Sequence, residues 1–292
     1  MNAQLRRLFP MIITLSLVML ATFLGHTLWI HYMDSPWTRD GRVRADVVNI
    51  APDVAGLVTE VAVQDNQYVH RGDLLFRVDD VHYRHELSHA QAVVDQRLLM
   101  LQIKRGQAER RATLDDQVIS RENREDTSLY SASAKAEYKA ALALLDQARL
   151  NLERTEVRSP VDGWVSNLLI RPGDFTQIGA AKLALIDQHS FWVYGYFEEH
   201  KLNLFQVGDP AEIRLLGTDQ QLRGHVESIA HGITDRDNPT DVTLLANVNP
   251  SFNWVRLAQR VPVRIRLDAI PKEIILVAGM TCSVIVEPRK RG

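Results

Sequence analysis

Between residues 81 and 156 the apolar positions return every seven residues. Over 81–114 they fall at Leu87, Val94, Leu101 and Ala108. Over 121–156 they fall at Leu129, Ala136, Ala143 and Leu150, with Tyr138, Leu142, Leu145 and Leu152 widening the stripe. Charged residues fill the intervals, Gly106 is the only glycine, and no proline intervenes before Pro160. Nothing here breaks a helix strongly. The pattern predicts two long helices paired as an antiparallel coiled coil and joined by a short polar turn. At 1.5 Å per residue each arm reaches about 50 Å. That is too long to fold back over a small core, so the pair is expected to project as a rod.

The segments on either side alternate at the period of a strand and resemble each other. Residues 50–80 and 157–187 register at a shift of 107. Gly56 falls on Gly163, Val58 on Val165, Asn66 on Gly173, Tyr68 on Phe175, Gly72 on Gly179, Phe76 on Leu183 and Asp80 on Asp187, with no gap over 25 positions. The turns come at Asn66-Gln67 and at Pro172-Gly173, where a residue tolerant of positive φ is wanted. Two such halves predict one small β sandwich with the 76-residue rod inserted between them. Gly56 and Gly163 are expected to answer a backbone constraint, one in each half.

Residues 11–30 are apolar and free of Asp, Glu, Lys and Arg. As a helix they span about 30 Å, the thickness of a bilayer core. Arg6 and Arg7 precede the run and Asp34 follows it. The positive-inside rule then leaves residues 1–10 in the cytoplasm and the rest of the chain outside. The run is longer than a usual signal core and lacks a small-x-small cleavage site, which favours an uncleaved single-pass anchor. Residues 31–49 read as a linker followed by one strand, near 43–48, that can add an edge to the barrel or sandwich that follows. Residues 189–288 read as β throughout. Candidate strands lie at 191–197, 211–216, 223–230, 241–248, 261–267 and 280–287, and the turns between them favour a small barrel or sandwich. Residues 289–292 form a solvated tail.

Composition narrows the chemistry. The net charge of −2 and the dispersed basic residues point away from nucleic acid. Cys282 is the only cysteine, so no intramolecular disulfide forms, and its apolar surroundings predict a buried thiol. His82, His85 and His89 share one face of the first helix at i, i+3 and i+7, a geometry able to hold a metal ion. That cluster carries the alternative reading of a metal-binding enzyme, but a solvated helix base is the commoner origin of such spacing. No nucleophile elbow, phosphate loop or HExxH is present.

These parts in this order resemble the periplasmic adaptors of Gram-negative efflux systems, the membrane fusion (hemolysin-secretion-type) proteins. The marks are Ser35-Pro36-Trp37-Thr38-Arg39-Asp40, Ile50-Ala51-Pro52-Asp53-Val54-Ala55-Gly56, Gly72-Asp73-Leu74-Leu75-Phe76, Arg158-Ser159-Pro160-Val161-Asp162-Gly163, Pro172-Gly173-Asp174 and Ala278-Gly279-Met280. The run Trp254-Val255-Arg256-Leu257-Ala258-Gln259-Arg260-Val261-Pro262-Val263-Arg264-Ile265 looks most like adaptors of pumps that export p-hydroxybenzoate-type aromatic carboxylic acids.

The resemblance implies a mixed α and β fold: an N-terminal transmembrane helix, a coiled-coil hairpin inserted in a lipoyl-like sandwich (50–80 and 157–188), and a small β-barrel. Gly56, Gly72, Gly163, Gly173 and Gly179 would be the glycines of the lipoyl-like fold. Where carriers of that fold bear a modified lysine, this chain has the rod, so no lipoate, biotin or other cofactor is expected, nor a metal. The implied partners are an inner-membrane transporter, an outer-membrane channel and further copies of the chain in a ring, trimeric or hexameric. Family hairpins touch the channel through an Arg, a Leu and a Ser about the tip. Arg110 or Arg111, Leu114 and Ser120 answer to these, although Leu114 stands one position closer to Ser120 than is commonest. The implied function is a non-enzymatic adaptor for export of small molecules, aromatic carboxylic acids or drugs, with polypeptide secretion the alternative inside the family.

Overall fold

Alternation of apolar and polar residues sets every strand, and a shift to helical spacing at Val81 sets the change of element. The structure is a computed structural model and describes residues 13–27, 35–114, 119–217, 220–233, 258–271 and 274–288. A helix, α1 (13–27), comes first, followed by β1 (Trp37–Arg44), β2 (Val47–Ile50), β3 (Gly56–Val61), β4 (Tyr68–Val69) and β5 (Leu74–Val78). The long helices α2 (Val81–Ala112) and α3 (Arg121–Glu153) come next. After them run β6 (Glu156–Arg158), β7 (Gly163–Ser166), β8 (Phe175–Thr176), β9 (Leu183–Asp187) and β10 (Trp192–Glu198). The chain closes with a 3-10 turn at Glu199–Leu204, β11 (Pro210–Leu215), β12 (Gln221–Ile229), β13 (Arg260–Leu267) and β14 (Thr281–Val286). The predicted strand at 241–248 lies outside the described residues.

One unit comprises Val47–His189. Its two sheets run β2-β9-β7-β4 and β6-β5-β3-β8. Applying the shift of 107 turns the first order into the second, since β2 maps on β6, β9 on β5, β7 on β3 and β4 on β8. The repeat is therefore a pseudo-twofold, and each sheet draws strands from both copies. Asn66 (φ 63°) and Gly173 (φ 94°) are equivalent under the shift, as are Gly72 (φ 93°) and Gly179 (φ 77°). Each pair holds a left-handed turn that a branched residue would strain. Val58, Val69, Leu75, Phe76, Val78, Val165 and Leu185 fill the space between the sheets with 2% exposure or less.

The hairpin leaves this sandwich through the adjacent pair β5 and β6, where Phe76 faces Val157 and Arg77 faces Glu156. Glu156 accepts bonds from Arg158 Nη2 (2.7 Å) and Arg77 Nη2 (3.2 Å). The Arg158 bond is the chief reason its carboxyl titrates below the ordinary range. Thr155, fully buried, closes the end of α3 through its hydroxyl to Leu152 O (2.7 Å).

The stripe predicted on the first arm faces the partner helix, with Val94 buried among Leu87, Ala90, Ala141, Leu145 and Tyr138. Of the stripe predicted on the second arm, Tyr138, Leu142 and Leu145 face the seam, but the series at 129, 136, 143 and 150 does not. Leu129 is 62% exposed and Ala136, Ala143 and Leu150 are also exposed, whereas Thr127, Ala134, Ala141 and Ala148 are buried. The seam lies two residues earlier than the large side chains indicated. Small residues at the contact let the helix axes approach, and Leu145 and Tyr138 then fill the gaps beside them. Arg97 Nη1 bonds Glu137 Oε2 across the arms at 2.6 Å.

The other unit holds Met1–Asp46 and Ser190–Gly292. Among the described residues, six strands close a barrel in the order β1-β10-β13-β12-β11-β14. The strand expected near 43–48 as an edge divides in two: β1 bonds β10 on one side and β14 on the other, and β2 pairs with β9 in the sandwich. Closure removes the free edge that such a strand would otherwise expose. Val43, Val193, Phe197, Ile213, Val226, Val263, Ile265, Cys282 and Val284 point inward. Helix α1 is exposed along its length. No helix among the described residues is long and apolar enough to cross a membrane, and positions 11, 12 and 28–30 of the predicted span lie outside them.

Two outcomes are expected. A Cβ on Gly163 would lie 2.0 Å from Ile186 O, a backbone atom, while one on Gly56 would meet the Val78 Cγ1 side-chain methyl at 2.7 Å. Gly163→Val should therefore destabilise the sandwich well beyond the about 1–3 kcal/mol of ordinary overpacking, and Gly56→Val should fall within that range. Denaturant titration of both variants checks the order. Burial pushes the Cys282 thiol from 9.0 up to about 12. Because the folded value is the higher one, this stabilisation is complete below pH 9 and is lost as pH rises toward 12. Alkylation of Cys282 should accordingly require unfolding, which mass spectrometry with and without denaturant measures.

Candidate functional site

The free end of the hairpin is built by the last turn of α2 and the first turn of α3. Ser120 stands at the N-cap with extended backbone (φ −65°, ψ 149°), and its hydroxyl accepts from Asn123 N at 3.3 Å. A full capping box would have Glu or Gln at position 123 reaching back to the cap. Asn123 is too short for that, and its Oδ1 instead accepts a bond from Arg111 Nη1 at 2.8 Å. The same Arg111 nitrogen donates to Thr127 Oγ1 at 2.7 Å, and Thr127 in turn donates to Asn123 O at 2.6 Å. Arg124 Nη2 donates to Leu114 O at 2.9 Å. Thr113 Oγ1 donates to Arg110 O at 2.9 Å and so occupies one of the carbonyls left over at the end of α2.

The four residues expected at the tip thus divide into two kinds. Arg111 and Ser120 are spent inside the hairpin, one tying the arms together and the other starting α3. Arg110 and Leu114 face solvent. The Arg110 guanidinium lies over Gly106 and has no hydrogen bond or ion pair among the described residues, and Leu114 is 43% exposed. Both therefore stand exposed on a base held by side-chain bonds. Arg124 and Thr127 also belong to this base and were not foreseen. Thr127, seven residues before Ala134, was legible only once the seam was placed on the small residues.

The other candidate chemistry does not assemble. His82 pairs with Glu86 at 3.1 Å, and His85 and His89 are exposed. Among the described residues no group of three His, Cys, Asp or Glu stands close enough to hold a metal ion. An open cleft at the root of the hairpin, lined by Asp80, Arg84, Glu153 and Arg158, has its main charges matched by Arg84–Asp80 (2.6 Å) and Arg158–Glu156 (2.7 Å).

Domain families of known proteins match both units of the chain. The barrel-sandwich hybrid domain of RND membrane fusion proteins matches residues 46–188, and the AAEA-like beta-barrel domain matches residues 190–287. The uncharacterized protein YdhJ of Escherichia coli (strain K12) is 43% identical over 273 residues, 94% of this chain and 96% of that protein. Among solved structures, the membrane fusion protein Spr0693 from Streptococcus pneumoniae R6 superposes with a TM-score of 0.64 at 15% identity, over 87% of this chain and 99% of the other. MacA from Actinobacillus actinomycetemcomitans does so with 0.57 at 16% identity, over 86% and 78%. At such identities the structures attest the fold.

Thr127→Val should remove one of the two acceptors of Arg111 at a local cost of about 1 kcal/mol. Amide exchange over 119–127 is expected to accelerate while that of the sandwich stays unchanged. Unaltered protection at the tip would show that the clamp does not order it.

Proposed function

The chain belongs to the RND-type membrane fusion proteins, the non-enzymatic periplasmic adaptors of efflux systems, and from that premise we propose how this one is anchored, docked and used. Residues 11–30 form a single-pass inner-membrane anchor with the N-terminus in the cytoplasm. In support, Leu15, Leu17, Met19 and Phe23 of α1 are all exposed, an apolar surface that needs apolar surroundings. The barrel and the lipoyl-like sandwich lie in the periplasm, and the hairpin reaches toward an outer-membrane channel. Energy comes from the inner-membrane transporter, and the adaptor's part is geometric.

Copies of the chain assemble into a ring, trimeric or hexameric. The face of α3 turned away from the seam supports this, since Leu129, Leu144 and Leu150 are exposed along it. So does the paired edge of β3 and β8, where Leu57 (50% exposed) and Phe175 (60%) stand side by side. The cargo is a small molecule, with aromatic carboxylic acids favoured by the resemblance of the barrel. The tip is the channel-docking site, and the observation that carries this is the division of labour within it. Arg110 and Leu114 are left to solvent while Arg111 and Ser120 hold the tip in shape.

Leu114→Asp should reduce export by more than about tenfold, as loss of one interface anchor does, with folding and membrane attachment unchanged. Ser120→Asp keeps a competent cap, so any loss of export in that variant reports the added charge and not an unravelled helix. Efflux from cells expressing each variant, alongside blots of membrane fractions, measures both. Full export by both variants would remove the tip from the docking site.

A further inference from the structure

The outer wall of the barrel carries an ordered array of cations and aromatic rings that the export reading does not use. Strand alternation puts Trp192, Tyr194 and Tyr196 of β10 on the outside, since Val193 and Phe197 are buried within. On one flank Arg42 stands opposite Tyr194 and Arg44 opposite Trp192. On the other, Arg264 stands opposite Tyr194 and Arg266 opposite Trp192. The wall therefore consists of two rungs, each Arg–aromatic–Arg, with Tyr196 beyond them. Trp192 and Tyr194 meet edge to face at 6.1 Å, and Arg264 stacks 4.2 Å over the Trp192 ring.

The acids nearby are already engaged. Glu227 holds Arg264 at 2.7 Å and Asp40 holds Arg260 at 2.6 Å. Asp268 holds His225, also at 2.7 Å. The side chains of Arg42, Arg44 and Arg266 have no ion pair or hydrogen bond among the described residues. At the start of β1, Arg39 and Lys201 both lie over the Trp37 ring, at 5.3 and 5.4 Å. Guanidinium groups beside Trp and Tyr are a combination that protein interfaces also favour, and it is the short tether to the anchor that assigns these to the membrane. They match the boundary of a bilayer, where amphipathic rings and basic side chains meet phosphate. Chain length agrees with that placement, because the six residues between position 30 and Trp37 reach at most about 25 Å.

We infer that the β1-β10-β13 face of the barrel binds the anionic phospholipid headgroups of the membrane in which the chain is anchored. The inference rests on the anchored reading above. It gives the barrel a second hold on the membrane, so that the short linker alone does not set the tilt of the adaptor. Arg42, Arg44 and Arg266 contact lipid phosphate, and Tyr194, Tyr196 and Trp192 lie among the headgroups.

The test uses the full chain in vesicles of phosphatidylcholine with and without phosphatidylglycerol. A bimane label on Ser228→Cys, exposed and opposite Arg264, reports on the wall, while buried Cys282 stays unlabelled. A nitroxide-headgroup lipid should quench the label about threefold more deeply when phosphatidylglycerol is present. High salt should abolish the difference in the unmutated wall, and Arg42→Glu, Arg44→Glu and Arg266→Glu together should abolish it at low salt. Equal quenching in the two membranes, or an effect untouched by salt and by charge reversal, would overturn the inference and leave an acidic protein surface as the partner of these arginines. Resistance to alkaline extraction, measured in the same neutral vesicles, reports the anchor separately. A chain that is extracted yet still shows the phosphatidylglycerol effect would refute the anchor and keep the lipid-binding face.

Discussion

Strands β5 and β6 are bonded antiparallel neighbours, although 77 residues separate the end of one from the start of the other. The hairpin follows from that pairing. Two chain ends held side by side and pointing the same way out of a sheet can carry an antiparallel helix pair of any length without strain. The cost of closing so long a connection grows only slowly with its length, and the buried seam of α2 and α3 offsets it. A sandwich whose sheets each need strands from both copies cannot form unless the hairpin has closed. The rod is thus a requirement of the fold as well as its product.

Much of this was legible in the sequence because duplication repeats its constraints. The shift of 107 aligned not only Val58 with Val165 but the two left-handed turns, at Asn66 and Gly173 and at Gly72 and Gly179. Two independent positions where positive φ recurs at one offset are hard to produce by chance. The seam of α3 was not legible in the same way. Positions 129, 136, 143 and 150 and positions 127, 134, 141 and 148 both repeat every seven residues, and the first series holds the larger side chains. Period alone does not say which of two parallel stripes meets the partner. Geometry decides for the smaller one, because Ala allows close approach and Leu145 and Tyr138 supply the bulk from the flanking positions. The large residues of the other stripe are left outside, where a neighbouring copy can cover them.

The tip shows a similar limit. Arg110 and Arg111 are adjacent and chemically identical, yet α2 turns about 100° between them. That rotation sends Arg111 across to Asn123 and Thr127 and leaves Arg110 free. Sequence identified the charge; only the helix phase assigned its role. In the barrel a strand near 43–48 was expected to add an edge. Antiparallel pairing with both β10 and β14 makes β1 the strand that closes the ring, and the alternation of Arg42, Val43 and Arg44 becomes an outside and an inside.

The account stands or falls on the tip being what the exit channel touches. The most direct measurement is photo-crosslinking in intact cells, with a benzophenone amino acid placed in turn at Leu114 and at Leu99, which is exposed partway along α2. The account predicts an adduct between position 114 and an outer-membrane channel, and no channel adduct from position 99. A channel adduct from position 99 but none from position 114, or none from either, would contradict it.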